Sequence, residues 1–599
     1  VNLQNKSVIS TSSEGLGNAG SISLAVKRFE AGGGSSVSSS SIATGQSGNA
    51  GAIAINAEDM SAESIRIANA SSISTSAAGT GKGGNIQLDV TDLSLSDESS
   101  VRSTGNDGDA GTVVVKAQNS PSDTVSLQNK SVISTSSEGL GNAGSISLAV
   151  KRFEAGGGSS VSSSSTAKGQ SGNAGAITIN ADDRSTGSTE STSSIRLTNA
   201  SSISTSAAGT GKGGNIQLGV ADLSLENESS IRSTGNDGDA GTIVISGNSP
   251  SETIRLHNQS VISTSSEGLG NAGSITLAAN RLDLDVESSI SSSSLSTGEG
   301  GNAGRIEIAG NDLNLRGKSF IATETRGRGN AGAIAMMLNR LEMETGAFIS
   351  SESKSTGRGG HAGVITIQAD ERIRLTGGNV FIGTTTSGEG AGGDIYLDTR
   401  LLEMNGGAFI SSASLSENTA GNAGSIRIQC ADSILLQEGS SITTEALNAG
   451  GGIIWIYVAN QLYLKDSAIS TSVRFGAGNG GDIEIFDPEF LILKNARIIA
   501  NAYEGRGGNI HIVTGLLIQS AGSVVSASSE LGIDGTVNIE SPDANLSGAL
   551  VSLPANFLDA AVWALKPCSE RVGETASSLV VVERDGVSMS PEDWTPGPY

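Results

Sequence analysis

Apolar and small polar residues alternate along this chain in short bursts, and each burst follows a glycine. The first is Gly20-Ser21-Ile22-Ser23-Leu24, and the same glycine–x–apolar–x–apolar signature returns at Gly51, Gly84, Gly111 and Gly144 and onward to Gly535. Eighteen such glycines run from Gly20 to Gly535, at intervals from 27 residues (Gly84 to Gly111) to 39 (Gly175 to Gly214). A period of this size marks a solenoid, in which a repeat cannot bury its own apolar face and must stack on its neighbours. Within one repeat, Ile53-Ala54-Ile55, Ile65-Arg66-Ile67 and Ser72-Ile73-Ser74-Thr75 each alternate with period two, which puts their apolar members on one side of a strand. A longer Gly/Ser segment over 76–84 closes the circuit. Three short strands per rung predict an all-β fold, a right-handed parallel β-helix (β-solenoid) of three sheets and about 18 rungs. At about 4.8 Å per rung the rod would be on the order of 85 Å long.

A longer period is nested over the short one. Residues 1–115 reappear almost letter for letter from Val125, and a looser copy starts at Ile254. The repeat region is therefore read as 1–540, with near-identical blocks 1–124 and 125–253 and divergent rungs over 254–540. The second block carries extra residues at 183–193 where the first has 59–63, which marks an outward connection tolerant of insertion. The opening residues match 125–134, the middle of a repeat, so the chain is expected to start inside a rung of a longer polypeptide. From Ser541 the pattern stops. Phe557, Leu558, Ala561, Val562 and Leu565 suit one face of a short helix, and 577–582 reads as a strand. Residues 541–599 are accordingly expected to form a short mixed C-terminal cap and tail over the open end of the stack.

Composition removes several function classes. Glycine is 82 of 599 residues and aromatics are 3 %, values that would fit a low-complexity disordered chain. Regular apolar columns argue against disorder. The formal net charge of −24 leaves no basic stripe for phosphate, so neither nucleic acid nor an anionic membrane surface is an expected partner. No apolar run approaches the roughly 20 residues of a membrane-spanning helix.

Candidate chemistry is sparse. Asn18, Asn49, Asn142, Asn173, Asn271, Asn302, Asn330 and Asn422 share one column before an Ala-Gly pair. Stacked in register, their amides can bond from rung to rung as a structural ladder. The turn Gly105-Asn106-Asp107-Gly108-Asp109-Ala110-Gly111 and its copy at 235–241 resemble calcium-binding β-roll repeats without their nine-residue period, leaving Asp107, Asp109, Asp237 and Asp239 as weak calcium candidates. Ser/Thr columns such as Ser74-Thr75-Ser76 form a hydroxyl strip, too variable for an ice-binding array. His361 stands in the asparagine column, His511 at an outward strand position, and His257 replaces Gln4 and Gln128. None has the companions of a metal site or a catalytic triad at usable spacing. Cys430 falls in a column of Val and Ala and reads as a small apolar side chain, while two cysteines make no disulfide framework. No catalytic residue or cofactor is expected.

The repeats Gly20-Ser21-Ile22-Ser23-Leu24 and Ser-Ser-Ile-Ser-Thr-Ser-Ala-Ala-Gly-Thr-Gly-Lys-Gly-Gly-Asn-Ile-Gln-Leu (71–88 and 201–218) are similar to those of filamentous haemagglutinin-like exoproteins of bacterial two-partner secretion. So is the tail, with Leu553-Pro554-Ala555-Asn556, Leu558-Asp559-Ala560, Cys568 and Ser577-Ser578-Leu579-Val580-Val581-Val582. The resemblance implies the C-terminal repeat region of a secreted or cell-surface adhesin of Gram-negative bacteria, serving adhesion, aggregation or biofilm. It also implies an outer-membrane transporter as partner, through an N-terminal secretion domain absent from this sequence, and a surface glycan or protein as receptor. Two other classes stay open: a carbohydrate-active β-helix enzyme (polysaccharide lyase or hydrolase) and a scaffolding surface-layer component.

Overall fold

The computed structural model describes residues 1–57, 61–118, 120–180, 194–246, 251–417 and 421–541. The chain divides into two compact units, Val1–Ala549 and Leu550–Tyr599. The helix, strand and cap expected beyond Ser541 lie outside the described residues, as does the insertion at 183–193. That insertion falls between the strands Ile177–Asn180 and Ser194–Thr198, the connection between the first and second strands of a rung.

The first unit is a parallel β-solenoid of about 18 rungs, with no helix among the described residues. One rung consists of Ile53–Asn56, Ala62–Ile67 and Ser72–Ala77, the three segments that alternation picks out. Each lies parallel to its counterpart one rung on, with Ile53 opposite Ile86, Ile65 opposite Leu93 and Ile73 opposite Val101. The third strands form one continuous stack from Val8–Ser13 to Val524–Ser526. The first and second strands depart from the expectation of separate sheets. In many rungs they fuse into one bent strand, as in Ile86–Leu95, Ile306–Leu315 and Ile365–Thr376, so the rungs share two hydrogen-bonded sheets rather than three. Register slips at the bend, for example between Leu338 and Arg340.

Inside the coil, Ile53, Ile55, Ile65, Ile67 and Ile73 are fully buried while Ala54 faces out. Each such side chain contributes about 1.5–3 kcal/mol of burial, and one apolar cluster runs from Ile22 to Ala527.

Glycine at the repeat anchor has a steric cause. A Cβ on Gly51 would lie 2.1 Å from the carbonyl oxygen of Gly20, and one on Gly144 only 1.9 Å from that of Gly111. None of the eighteen anchors has positive φ, so close backbone approach between rungs, and not left-handed geometry, excludes a side chain there. Among the described non-glycine residues positive φ falls, Asp487 excepted, in the short turn between the second and third strands. Asn69 and Ala70 (φ 54° and 57°), Asp97 and Glu98 (56° and 63°) and Val286 and Glu287 (49° and 58°) occupy it in different rungs.

The hydroxyl strip splits by strand parity. Ser74 and Ser76 face outward, whereas Thr75 is 1 % exposed and points into the coil. Thr75 Oγ1 donates to the carbonyl of its own anchor Gly84 at 2.6 Å, and Ser103 of the next rung donates to the same oxygen at 2.9 Å. The Ser103 oxygen in turn accepts the N–H of Gly111 at 2.9 Å. These buried polar groups are thus satisfied by one another.

Candidate functional site

The asparagine column is a ladder, with side chains bonding mainly to backbone. Asn18 Oδ1 accepts the N–H of Asn49 at 2.8 Å, and Asn49 Oδ1 accepts that of Lys82 at 2.8 Å. Asn142, Asn173, Asn271, Asn302, Asn330 and Asn422 repeat the bond to the N–H groups of Asn173, Lys212, Asn302, Asn330, His361 and Gly450, at 2.7–2.9 Å. Amide-to-amide contact is added between Asn302 and Asn271 at 3.2 Å. His361 joins the same column, its Nδ1 accepting the N–H of Ala391 at 2.9 Å. A second ladder, unremarked in the sequence, runs one residue after the anchor: Asn85, Asn215 and Asp394 accept the N–H groups of Thr112, Thr242 and Ser425.

Two of the four calcium candidates are ladder members. Asp109 Oδ1 accepts both the N–H and the Nδ2 of Asn142 at 3.0 Å, and its other oxygen lies 3.3 Å from Lys82 Nζ. Asp239 does the same with Asn271 and Lys212. The backbone hydrogen bond from the next rung holds each carboxyl below its ordinary range, against a smaller opposing effect of burial. Asp107 and Asp237 only graze the N–H groups of Leu140 and Leu269, at 3.4 Å. Among the described residues no three His, Cys, Asp or Glu gather as a metal-binding group.

Cys430 is buried, with its sulfur 3.2 Å from the Arg400 carbonyl and 3.1 Å from that of Ser433. Burial pushes its thiol up, so it is not held as a reactive thiolate.

A charged groove of about 340 Å³ lies on the outward face of the second strands. Glu226, Arg255, His257, Asp283, Asp285 and Arg316 line it, contributed by successive rungs. Arg281 Nε lies 2.8 Å and Arg255 Nε 3.8 Å from Asp283 Oδ2, and Asn314 donates to Asp283 Oδ1 at 2.8 Å. His257 stands 3.8 Å from Asp285. Burial acts to raise the Glu226 pKa, but hydrogen bonds from Arg196 and Ser224 outweigh it and leave the carboxyl lowered. Asp283 binds Arg281 and raises that guanidinium further. The groove therefore offers ionised pairs able to hold a polar ligand, and Glu226 in it is a charged acceptor, not a proton donor.

The aromatic side chains are the feature that sequence reasoning missed. Before Phe320 the described aromatic residues are Phe29 and Phe153, both fully buried. From Phe320 to Tyr503 there are twelve more, and none is buried. Phe320, Phe348, Phe381 and Phe409 stack along the outside of the third strands, with ring centroids 4.8, 5.0 and 4.9 Å apart. Trp455, Tyr457 and Phe486 cluster on the outside of the first strands. The signal was legible as aromatics at outward strand positions, but only once inward and outward parity is tracked rung by rung.

Among the described residues no helix is long and apolar enough to cross a membrane. Compared with known protein families, curated proteins and solved structures, the chain matches none.

Proposed function

We propose that this chain is the repeat shaft of a secreted or cell-surface adhesin of the filamentous haemagglutinin type, a non-catalytic rod that holds a binding surface away from its anchor. The observation that supports this most is the uninterrupted column structure. The same buried apolar positions recur over about 18 rungs, an arrangement that extends length and stiffness while leaving outward positions free to vary. In this reading the rod reaches the outer face of a Gram-negative envelope through a two-partner outer-membrane transporter, and meets a glycan or protein on another surface. Beads coated with the full chain should aggregate or attach to bacterial or host cells at densities where beads coated with an unrelated acidic protein do not. Equal attachment by the two coatings would refute the adhesin reading.

One observation favours a second reading, a β-helix enzyme acting on polysaccharide. The groove around Arg281, Asp283 and His257 puts basic and acidic groups on one sheet, as cleavage of an acidic polysaccharide requires. Incubation with a panel of polyuronates, followed by ultraviolet absorbance of unsaturated products and by reducing-end release, separates the two. Product formation abolished by Arg281→Ala would establish the enzyme.

A further inference from the structure

The aromatic cluster on the first-strand face has the chemistry and dimensions of a ligand strip. Two outward columns run side by side there. One reads Tyr396, Arg427, Trp455, Glu484, His511 and the other Asp398, Gln429, Tyr457, Phe486, in register from rung to rung. Trp455 and Tyr457 are two residues apart on one strand, with ring planes within 16° and centroids 6.3 Å apart. The Arg427 guanidinium lies over the indole at 5.2 Å and fixes it from one side. Phe486 lies 5.9 Å from the indole on the following rung, and His511 stands edge-on to Phe486 at 5.8 Å. Tyr396 extends the strip in the other direction and is 38 % exposed. Half-buried rings that keep part of their surface in water, with Tyr396 more exposed, are therefore interleaved with hydrogen-bonding groups.

Size and charge decide what kind of ligand this suits. From Tyr396 to His511 is four rung steps, about 19 Å, and the two columns are about 7 Å apart. Even with a side chain's breadth added all round, the strip covers on the order of 350 Å², under half of the roughly 800 Å² each partner buries in a standard protein interface. A narrow strip suits an extended chain of small units. The rung spacing of about 4.8 Å is close to the length of one pyranose in an extended polysaccharide, so successive sugars would meet successive rungs. Asp394, which accepts the Tyr396 hydroxyl at 3.3 Å, together with Asp398, Glu484 and, beside His511 at the far end, Glu540, sets four carboxylates along the strip against the one guanidinium of Arg427. That balance repels a sulfated or uronate polymer.

We infer that this strip binds a neutral polysaccharide laid along the rod axis, sugar C–H faces on Trp455, Tyr457 and Phe486 and hydroxyls on Arg427, Gln429 and Glu484. The inference rests on the adhesin reading for its setting and names the receptor class. It is tested with the full chain by affinity electrophoresis through gels containing soluble β-glucan, galactomannan, mannan or dextran, with dextran sulfate as the anionic comparison. In a Trp563→Phe/Trp594→Phe background, Trp455 emission reports the same event directly. At least one neutral polymer should retard the chain and shift Trp455 emission saturably. Trp455→Ala/Tyr457→Ala should weaken binding tenfold or more, while Phe320→Ala/Phe409→Ala, with rings on the other sheet, should bind as the parent does. Circular dichroism matching the parent shows that the variants remain folded. No retardation by any neutral polymer, retardation by dextran sulfate alone, or retardation unchanged in the Trp455/Tyr457 variant would each overturn the inference. So would concentration-dependent self-association abolished by that variant without any glycan effect, because the strip would then be a contact between copies. Bead attachment that survives the double variant would sink the strip and leave the adhesin reading standing.

Discussion

Replacing Ser163 by alanine tests whether the buried hydroxyl column sustains the stack. Ser163 Oγ donates to the Gly144 carbonyl at 2.9 Å and accepts the Gly175 N–H at 2.8 Å, in a buried environment. Thr135 of the preceding rung donates to that same Gly144 oxygen. In Ser163→Ala the carbonyl keeps Thr135, so its loss is small. The Gly175 N–H loses its hydroxyl acceptor, and a buried donor left unpaired costs about 1–3 kcal/mol. In Thr135→Val the shape is nearly kept, Ser163 still serves the carbonyl, and no N–H is stranded, so the cost is about 0.5–1 kcal/mol. The expected gap of about 1–2 kcal/mol is a factor of roughly ten in the local opening constant. Because stability in a solenoid is set rung by rung, a single global unfolding energy is a poor readout. Amide hydrogen exchange across the strands Ile146–Ala155 and Ile177–Asn180 measures it directly. Equal loss of protection in the two variants, or greater loss in Thr135→Val, would refute the assignment of roles within the column.

Three further perturbations follow from the geometry. Gly144→Ala places a Cβ 1.9 Å from the Gly111 oxygen and should cost about 3 kcal/mol or more, read as frayed exchange protection on both adjacent rungs; a neutral outcome would mean that the rungs separate easily. Val286→Asn replaces a β-branched residue held at φ 49° with one that tolerates the left-handed region, and should raise the local unfolding free energy by about 1 kcal/mol. The Asp109 and Asp239 carboxyls are held below their ordinary value of 3.8 in the folded chain, so their contribution is present above that value and is lost as pH falls through the lower folded one. Asp109→Asn/Asp239→Asn keeps the ladder acceptor but cannot titrate, so its acid unfolding, followed by circular dichroism below about pH 4, should be less steep than the parent's; identical profiles would show that the two carboxyls do not matter.

The inside of this fold was legible and the outside was not, for physical reasons. Period-two alternation located Ile53–Asn56, Ala62–Ile67 and Ser72–Ala77, because one buried face imposes a strict parity that short strands cannot evade. The asparagine column was visible for the same reason, since stacking repeats like on like. The fusion of first and second strands into one bent sheet was not visible, because a bend is set by register between rungs and not by composition within one. The cause of the anchor glycine was not visible in the sequence either. Only the neighbouring rung's carbonyl, 1.9 Å from a Cβ on Gly144, shows that contact distance is the cause. Outward Trp455 and Tyr457 are not repeated in neighbouring rungs, and so left no periodic trace, unlike the stacked column of Phe320, Phe348, Phe381 and Phe409.

The hydroxyl column also fixes the unit of construction. Threonine and serine alternate rung by rung through Thr11 and Ser39, Thr75 and Ser103, Thr135 and Ser163, Thr205 and Ser233, Thr264 and Ser292, Thr323 and Ser351, and Thr384 and Ser412. In every pair the anchor glycine of the threonine rung takes a hydroxyl from each member. In every pair, too, the serine accepts the N–H of its own anchor. Two rungs, not one, therefore make a closed polar unit, and the duplicated block of four rungs is two such units. The alternation ends where Thr444 is followed by Thr471 and then by Ala500. The rungs beyond are the ones that carry Trp455, Tyr457 and Phe486 on their outer face. A regular interior lets rungs be copied without cost to the stack, whereas a binding surface must differ from its copies. Functional residues are thus expected around the point where the paired pattern gives way, at the boundary of the last four of the eighteen rungs, and not in the near-identical blocks.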